Sequence, residues 1–347
     1  MHKHYINFYF TLLALFINFQ AVWAQENIII GQKHSIHSEI LNDNREYWVS
    51  LPQDYDKKQN ETYPVIYFFD GENHFFNMKG LVSRLTYGLY KSMPEVILVA
   101  IIQKDRTNEL TPTNMKTPEE WKRADFSTSG GNPDFMRFIN QELKPKINKN
   151  YRTNGFNILA GHSFGGLATL NSFVKSPDDF QAYIALDPSL WWDDEYLTKQ
   201  ISNIKDTQPY ENKIIYIATA GAPKNENKLS ITPFMEKLLE KKISNLIIEN
   251  KFYPEEDHGS VVVPGTYNGL QFIFDGYQLP VKEAIKNPNL IKEHYKKISK
   301  RLGYPVFIEQ EIIEKMIEMA QKQDLAEEAE ILKQLLKEKY GELEDKE

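Results

Sequence analysis

Five short runs of consecutive apolar residues, spaced by stretches that read as helices, constrain this chain more than any other feature. They are "PVIYFFDG" ending at Gly71, "EVILVAII" ending at Ile102, "FNILAG" ending at Gly161, "AYIALDP" ending at Pro188 and "KIIYIATAG" ending at Gly221. Each is continuous rather than alternating, the pattern of a strand buried on both faces in a parallel sheet covered by helices. The clearest intervening helix is "NPDFMRFINQELKP", with Asn132 as N-cap, Pro133 at the first helical position, and Phe135, Phe138, Ile139 and Leu143 on one stripe. Upstream, "HSEILNDNREYWVSLPQDY" alternates as a half-exposed antiparallel strand does, and downstream "NLIIENKFYPEEDHGS" reads as a last strand ending at His258. The expected fold is an α/β architecture, a mostly parallel twisted sheet with helices on both faces.

The two ends of the chain have a different character. Residues 1–24, "MHKHYINFYFTLLALFINFQAVWA", have a weakly basic start, an apolar centre from Tyr5 to Phe19, and Val22 and Ala24 where a signal peptidase reads small residues. Cleavage after Ala24 and a secreted or periplasmic protein are expected, without stable membrane insertion, since a spanning helix needs about 20 apolar residues. With no cysteine, neither a lipid-modified N-terminus nor a disulfide framework can form. Residues 25–280 hold the α/β domain. From Val281 onward Lys and Glu become dense and strand signals vanish. "LIKEHYKKISKRLG" sets Ile291, Tyr295, Ile298 and Leu302 on one face, and "FIEQEIIEKMIEMAQKQD" and "LAEEAEILKQLLKEKY" follow as two more amphipathic helices. Residues 281–347 therefore read as a helical appendage ending in a tetratricopeptide-like pair. One pair is below the about three repeats such arrays need, so it should pack on the main domain or on a protein partner.

A formal net charge of −7 and the lack of a basic stripe argue against a nucleic-acid partner. The eight histidines are scattered, and the pair His34 and His37 falls in a strand at a spacing that puts them on opposite faces. No metal or organic cofactor is expected.

Chemistry concentrates around "ILAGHSFGGLA", Ile158 to Ala168. A sharp turn from a buried strand into a helix leaves no room for side chains two residues before or after its apex, so glycine belongs there. In a G-x-S-x-G pattern the apex serine, here Ser163, is exposed above a helix N-terminus. Taken alone, the five residues are equally met by a glycine-rich turn in which Ser163 caps the helix. Ligands in open α/β sheets bind beyond the carboxyl ends of the strands. The residues there are Asp70, Gly71 and Glu72, then Ser163, then Asp187 with Trp191 and Trp192, then Glu226, and finally Glu256 and His258. Nucleophile, acid, histidine is the chain order of an α/β-hydrolase. A serine hydroxyl becomes a useful nucleophile only when a neutral imidazole takes its proton and a carboxylate steadies that imidazole.

Six motifs in order, "YWVSLPQDY", "YPVIYFFDGENHF", "DRTNELTP", "GHSFGGLATL", "DPSLWW" and "YPEEDHGSV", make Ile36 to Phe274 resemble the esterase family of α/β-hydrolases. That group contains enterochelin esterases, esterase D and feruloyl or acetyl-xylan esterases, and the likeness is greatest to its secreted siderophore-esterase-like members. The resemblance implies a serine hydrolase that cleaves carboxylic esters, small-molecule or polysaccharide-linked, through an acyl-enzyme. Acyl transfer on the same fold, and a non-catalytic binding protein using the helical tail, are the alternatives. Ser163 is the expected nucleophile and His258 the base. Glu226 is the expected acid, with Glu256 as the alternative; Asp187 ranks behind both because family members commonly carry serine there. The N–H groups of Phe164 and of the Gly71–Glu72 turn are expected to form the oxyanion hole. Asp70 is expected to hold its turn, and His74 and His162 to serve as scaffold. Trp191 and Trp192 are either core or substrate wall, and Arg106 either clasps Glu109 or faces an anionic acyl group.

Overall fold

The computed structural model describes residues 27–116, 125–221 and 226–340; the expected signal peptide lies outside them. Of an N-terminal unit, Met1–Ile30, residues 27–30 are described and carry no regular structure, while Gly31–Glu347 form one compact unit. The upstream alternating segment is two strands, not one: β1 (Gln32–Ser38) and β2 (Asp43–Ser50) form an antiparallel hairpin. Asn42 turns the chain in the left-handed region, and the Glu142 carboxylate accepts the Glu39 and Ile40 N–H groups across the bend.

The five apolar runs become β3 (Tyr63–Phe68), β4 (Ile97–Ile101), β5 (Thr153–His162), β6 (Ala182–Leu186) and β7 (Ile214–Ala220). With β8 (Ile247–Tyr253) they complete an eight-stranded sheet of order β1-β2-β4-β3-β5-β6-β7-β8, parallel from β4 onward. Every residue of β3, β4, β6 and β7 is buried. Each Val, Ile, Leu or Phe taken from water there contributes about 1.5–3 kcal/mol. The edge strand β8 is half-exposed and stops at Tyr253, well short of the expected end at His258, because a turn follows in which Glu256 N–H bonds the Tyr253 carbonyl.

On one face, α1 (Gly71–Leu85) packs beside α8 (Val262–Ile273), which lies on β6 and β7. A Cβ at Gly265 would come within 2.9 Å of Ala218 and Leu186, so this helix sits as close to the sheet as a helix can. The short α2 (Arg106–Leu110) follows β4. The other face carries α3 (Asn132–Phe138), continued through a π-turn (Ile139–Leu143) into α4 (Lys144–Asn150), then α5 (Phe164–Lys175), α6 (Trp192–Ser202) and α7 (Glu226–Glu240). Asn132 is the first residue of α3 rather than its cap. It is fully buried and ties α2 to α5, donating to the Glu109 carbonyl and accepting from Asn171. The Phe135, Phe138, Ile139 and Leu143 stripe joins the main core with Tyr67, Val99 and Leu159.

The C-terminal helices are α9 (Val281–Lys286), α10 (Asn289–Leu302), α11 (Gln310–Lys322) and α12 (Ala326–Tyr340). Ile291, Tyr295, Ile298 and Leu302 are the buried face of α10, which ends at Gly303 in the left-handed conformation. The appendage packs on the α/β domain: Arg301 donates to the Phe272 carbonyl, Tyr304 meets the Phe156 ring, and Glu309 accepts from Lys91 at 2.6 Å. The Lys91 and Glu309 side chains are 8% and 13% exposed. Glu309→Leu should therefore lower the unfolding free energy by about 3 kcal/mol, because a buried cation loses its partner. Lys91→Met in the same chain should recover part of that loss, and urea unfolding of the wild type and the two variants checks both.

Candidate active site

Ser163 stands between β5 and α5 with φ 60° and ψ −117°, a backbone conformation that costs a non-glycine residue about 1–3 kcal/mol. Three backbone bonds hold it: its N–H to the Leu186 carbonyl at 3.0 Å, and its carbonyl to the Leu167 and Ser189 N–H groups at 2.9 and 3.2 Å. The flanking glycines are explained by contact. A Cβ at Gly161 would lie 2.3 Å from the Gly165 backbone, and one at Gly166 would lie 3.0 Å from Pro188. Ser163 thus forms a strained elbow at a strand end rather than a simple helix cap, and its Oγ lies 3.3 Å from the Ser189 Oγ.

The carboxylate that reaches His258 is that of Asp187. His258 Nδ1 lies 2.6 Å from Asp187 Oδ2, and Asp187 Oδ1 accepts the Ala220 N–H at 3.0 Å. Asp187 is fully buried and takes the left-handed conformation just past β6, which Asp tolerates better than most residues. This corrects the expectation that Glu226 or Glu256 fills the position. The Glu226 side chain lies outside the described residues, its backbone opening α7, and Glu256 instead uses its carbonyl to accept the Gly221 N–H. The sequence signal was present in "AYIALDP", an acid at the end of a buried strand directly before proline. His258 sits in the turn after β8, tightened by Asp257 Oδ1, which accepts from the Gly259 and Ser260 N–H groups. Those bonds hold the Asp257 carboxyl below its ordinary pKa.

Across from Ser163, Asp70 caps α1 in the left-handed conformation. Its N–H donates to Gln103 Oε1 at 2.8 Å, and its carboxylate receives Arg106 through Nε at 2.6 Å and a terminal nitrogen at 3.0 Å. The Asp70 carboxylate makes no cap bond to its own turn; it grips Arg106, so the Arg106 clasp is with Asp70 and not with Glu109. Glu109 instead receives the buried Arg45 guanidinium at 2.7 Å on both oxygens; burial raises its pKa, against the lowering pull of Arg45. A Cβ at Gly71 would meet Ala100 and Ile102 at 2.8 Å, so glycine lets α1 begin close against β4. Phe164 and Gly71 open α5 and α1, where the first N–H groups have no partner within their own helix. Glu72 follows in the first turn of α1.

The two tryptophans divide. Trp192 is fully buried and donates to Thr113 Oγ1 at 3.1 Å. Trp191 is half-exposed and packs 6.2 Å from the Phe164 ring, over which the Arg106 guanidinium sits at 5.4 Å. His34 is half-buried and stacks on Tyr47, whereas His37 is exposed and bonds Asn44. Among the described residues no group of three or more His, Cys, Asp or Glu side chains could hold a metal ion.

A mostly parallel sheet with its serine on a strained elbow, and a histidine paired with a buried aspartate beyond neighbouring strand ends, defines an α/β-hydrolase. Residues 38–258 match the sequence profile of the family described as "Putative esterase". The chain belongs to that esterase family. It is 27% identical over 194 residues to ferri-bacillibactin esterase BesA of Bacillus subtilis, covering 52% of this chain and 66% of that one. It is 26% identical over 171 residues to the siderophore enterobactin esterase of Emericella nidulans, covering 42% and 56%. The chain spans about half to two thirds of the length of these curated relatives. Among solved structures, an IroE-like serine hydrolase from Shewanella oneidensis superposes with a TM-score of 0.77 at 30% identity, covering 89% of this chain and 99% of that one.

Gly161→Ala should destabilise the fold by about 2–3 kcal/mol, the usual cost of overpacking, and slow labelling of Ser163 by a fluorophosphonate. Denaturant unfolding and the labelling rate on folded protein are the measurements.

Proposed function

We propose that this protein is a serine esterase acting on carboxylic esters of the siderophore type. The observation that carries the reading is the pairing of His258 with buried Asp187 on the same sheet edge as the Ser163 elbow. In the reaction, Asp187 accepts the Nδ1–H of His258, so Nε2 is the nitrogen that takes the Ser163 proton. Ser163 Oγ attacks the ester carbonyl. The N–H groups of Phe164 and of the Gly71–Glu72 turn receive the developing oxyanion, and His258 returns the proton to the leaving alcohol. Water, activated by the same imidazole, then hydrolyses the acyl-enzyme.

The substrate class is supported by the names its relatives carry, BesA and the enterobactin esterase among them. Locally, Phe164 and Trp191 supply an aromatic surface with the half-exposed Arg106 cation beside it. That pairing suits the electron-rich ring of a catecholate acyl group. Export to the periplasm or medium follows from reading residues 1–24 as a signal peptide, and the intact mass of the mature protein tests cleavage after Ala24. Among the described residues no helix is long and apolar enough to cross a membrane.

Ser163→Ala should abolish fluorophosphonate labelling and lower kcat by about a millionfold, and Asp187→Asn should lower it by about 10⁴-fold. Glu226→Ala and Glu256→Ala should each change it by less than about fivefold. Undiminished turnover in Ser163→Ala would end the serine mechanism, while a larger loss in Glu226→Ala than in Asp187→Asn would move the acid.

A hydrolysis screen over catecholate siderophore, feruloyl-polysaccharide and acetyl-polysaccharide esters tests the substrate class. The highest kcat/KM is expected on the first. Preference for either polysaccharide ester would overturn that assignment and leave the mechanism standing.

A further inference from the structure

We propose that His162, the residue before the nucleophile, is a positioning residue that holds the general base His258 through its backbone. The inference rests on the reading of His258 as that base. His162 Nε2 lies 2.6 Å from the His258 carbonyl oxygen. A carbonyl only accepts, so Nε2 carries the proton and the His162 tautomer is fixed. The two imidazoles also pack directly, ring centroids 4.5 Å apart and tilted by 41°.

The two histidines have unequal support. His162 is the last residue of β5, in register with Leu186 of β6. Its carbonyl accepts from Arg106 at 3.2 Å, and Arg106 is itself gripped by Asp70. His258 rides on a turn beyond an edge strand, with its side chain 47% exposed. Asp187 restrains that ring at Nδ1 but does not fix the backbone that carries it. The His162 bond supplies a tie from the nucleophile's own strand to the base's main chain. Because Ser163 is the very next residue, this bond ties nucleophile and base to one point of β5, beside the Asp187 bond and the ties within the turn itself. A misplacement of about 1 Å at such a site can cost 10²-fold in rate.

The charge state of His162 suits this place. Burial, aided by His258 and by His74 and Arg106, pushes its pKa down to about 4, against the raising effect of its own bond to the His258 carbonyl. His74, edge-on to it at 6.1 Å, is also held below the ordinary imidazole value by burial. At neutral pH His162 is then uncharged, and the positive charge that forms on His258 during proton transfer meets no like charge from it.

The test is a set of variants, His162→Leu, His162→Gln and His162→Asn, made in the wild type and in His258→Ala, with thermal unfolding run on each. In the wild type, His162→Leu should lower kcat by about 10–100-fold with KM changed less than about threefold. His162→Gln, whose amide N–H can reach the same carbonyl, should recover most of that loss. In the His258→Ala background, His162→Leu should slow residual turnover and fluorophosphonate labelling no further. Equal losses in Leu and Gln variants of equal melting temperature would overturn the inference, as would a further loss in the His258→Ala background. If the Leu variant does not fold, the comparison of Gln with the shorter Asn decides the same point: better turnover in Gln supports the bond and equality removes it. Full activity in His258→Ala itself would remove the general-base reading and this inference with it, whereas a wild-type rate in His162→Leu removes this inference alone.

Discussion

A carboxylate with no exposed surface stays in a protein interior only if its oxygens are matched, because an unpaired buried charge costs far more than a fold can spare. Asp187 meets that condition with one backbone donor from the end of β7 and one imidazole N–H from the turn beyond β8. The side chain thereby links three consecutive parallel strands at their carboxyl ends. The Ser163 elbow meets the same row through the Leu186 carbonyl, the residue just before Asp187. Removing the carboxylate would take one acceptor from the Ala220 N–H and one restraint from the His258 ring.

The sheet was legible because its strands are buried on both faces, a condition that forces continuous apolar runs; "AYIAL" and "IIYIATA" could have little other use. The elbow was legible because a Cβ at Gly161 would fall 2.3 Å from the Gly165 backbone, which leaves glycine as the residue that fits. What the sequence hid is of another kind. Partners of a charged side chain depend on which loops the sheet order brings together, and that order is not local. Arg106 and Glu109 are three apart on one short helix and looked like a pair, yet each reaches a residue far away in the chain, Asp70 and Arg45. Glu226 was expected beside the imidazole for the same reason: position relative to the last strand suggested it, while strand adjacency brings Asp187 to His258.

The C-terminal helices show how amphipathic patterning can be read correctly and still leave the partner open. Their apolar stripes are buried as the spacing requires, but patterning does not say against what. The answer lies in single polar contacts, Glu309 with Lys91 and Arg301 with the Phe272 carbonyl. These fasten the appendage to the α/β domain, at places that include the end of α8.

With Asp187 just past the strand beside the one that leads to Ser163, the proposed site takes its spacing from β5 and β6, paired up to His162 and Leu186. On the proposed mechanism the stretch from β7 through α7 to β8 supplies no reacting side chain. Its duties reduce to presenting the Ala220 N–H and delivering the His258 turn. On that proposal the part between the two strands, α7, is where a change of length or composition leaves the spacing of Ser163 and Asp187 alone, and a designer seeking a place to graft a foreign loop would begin there.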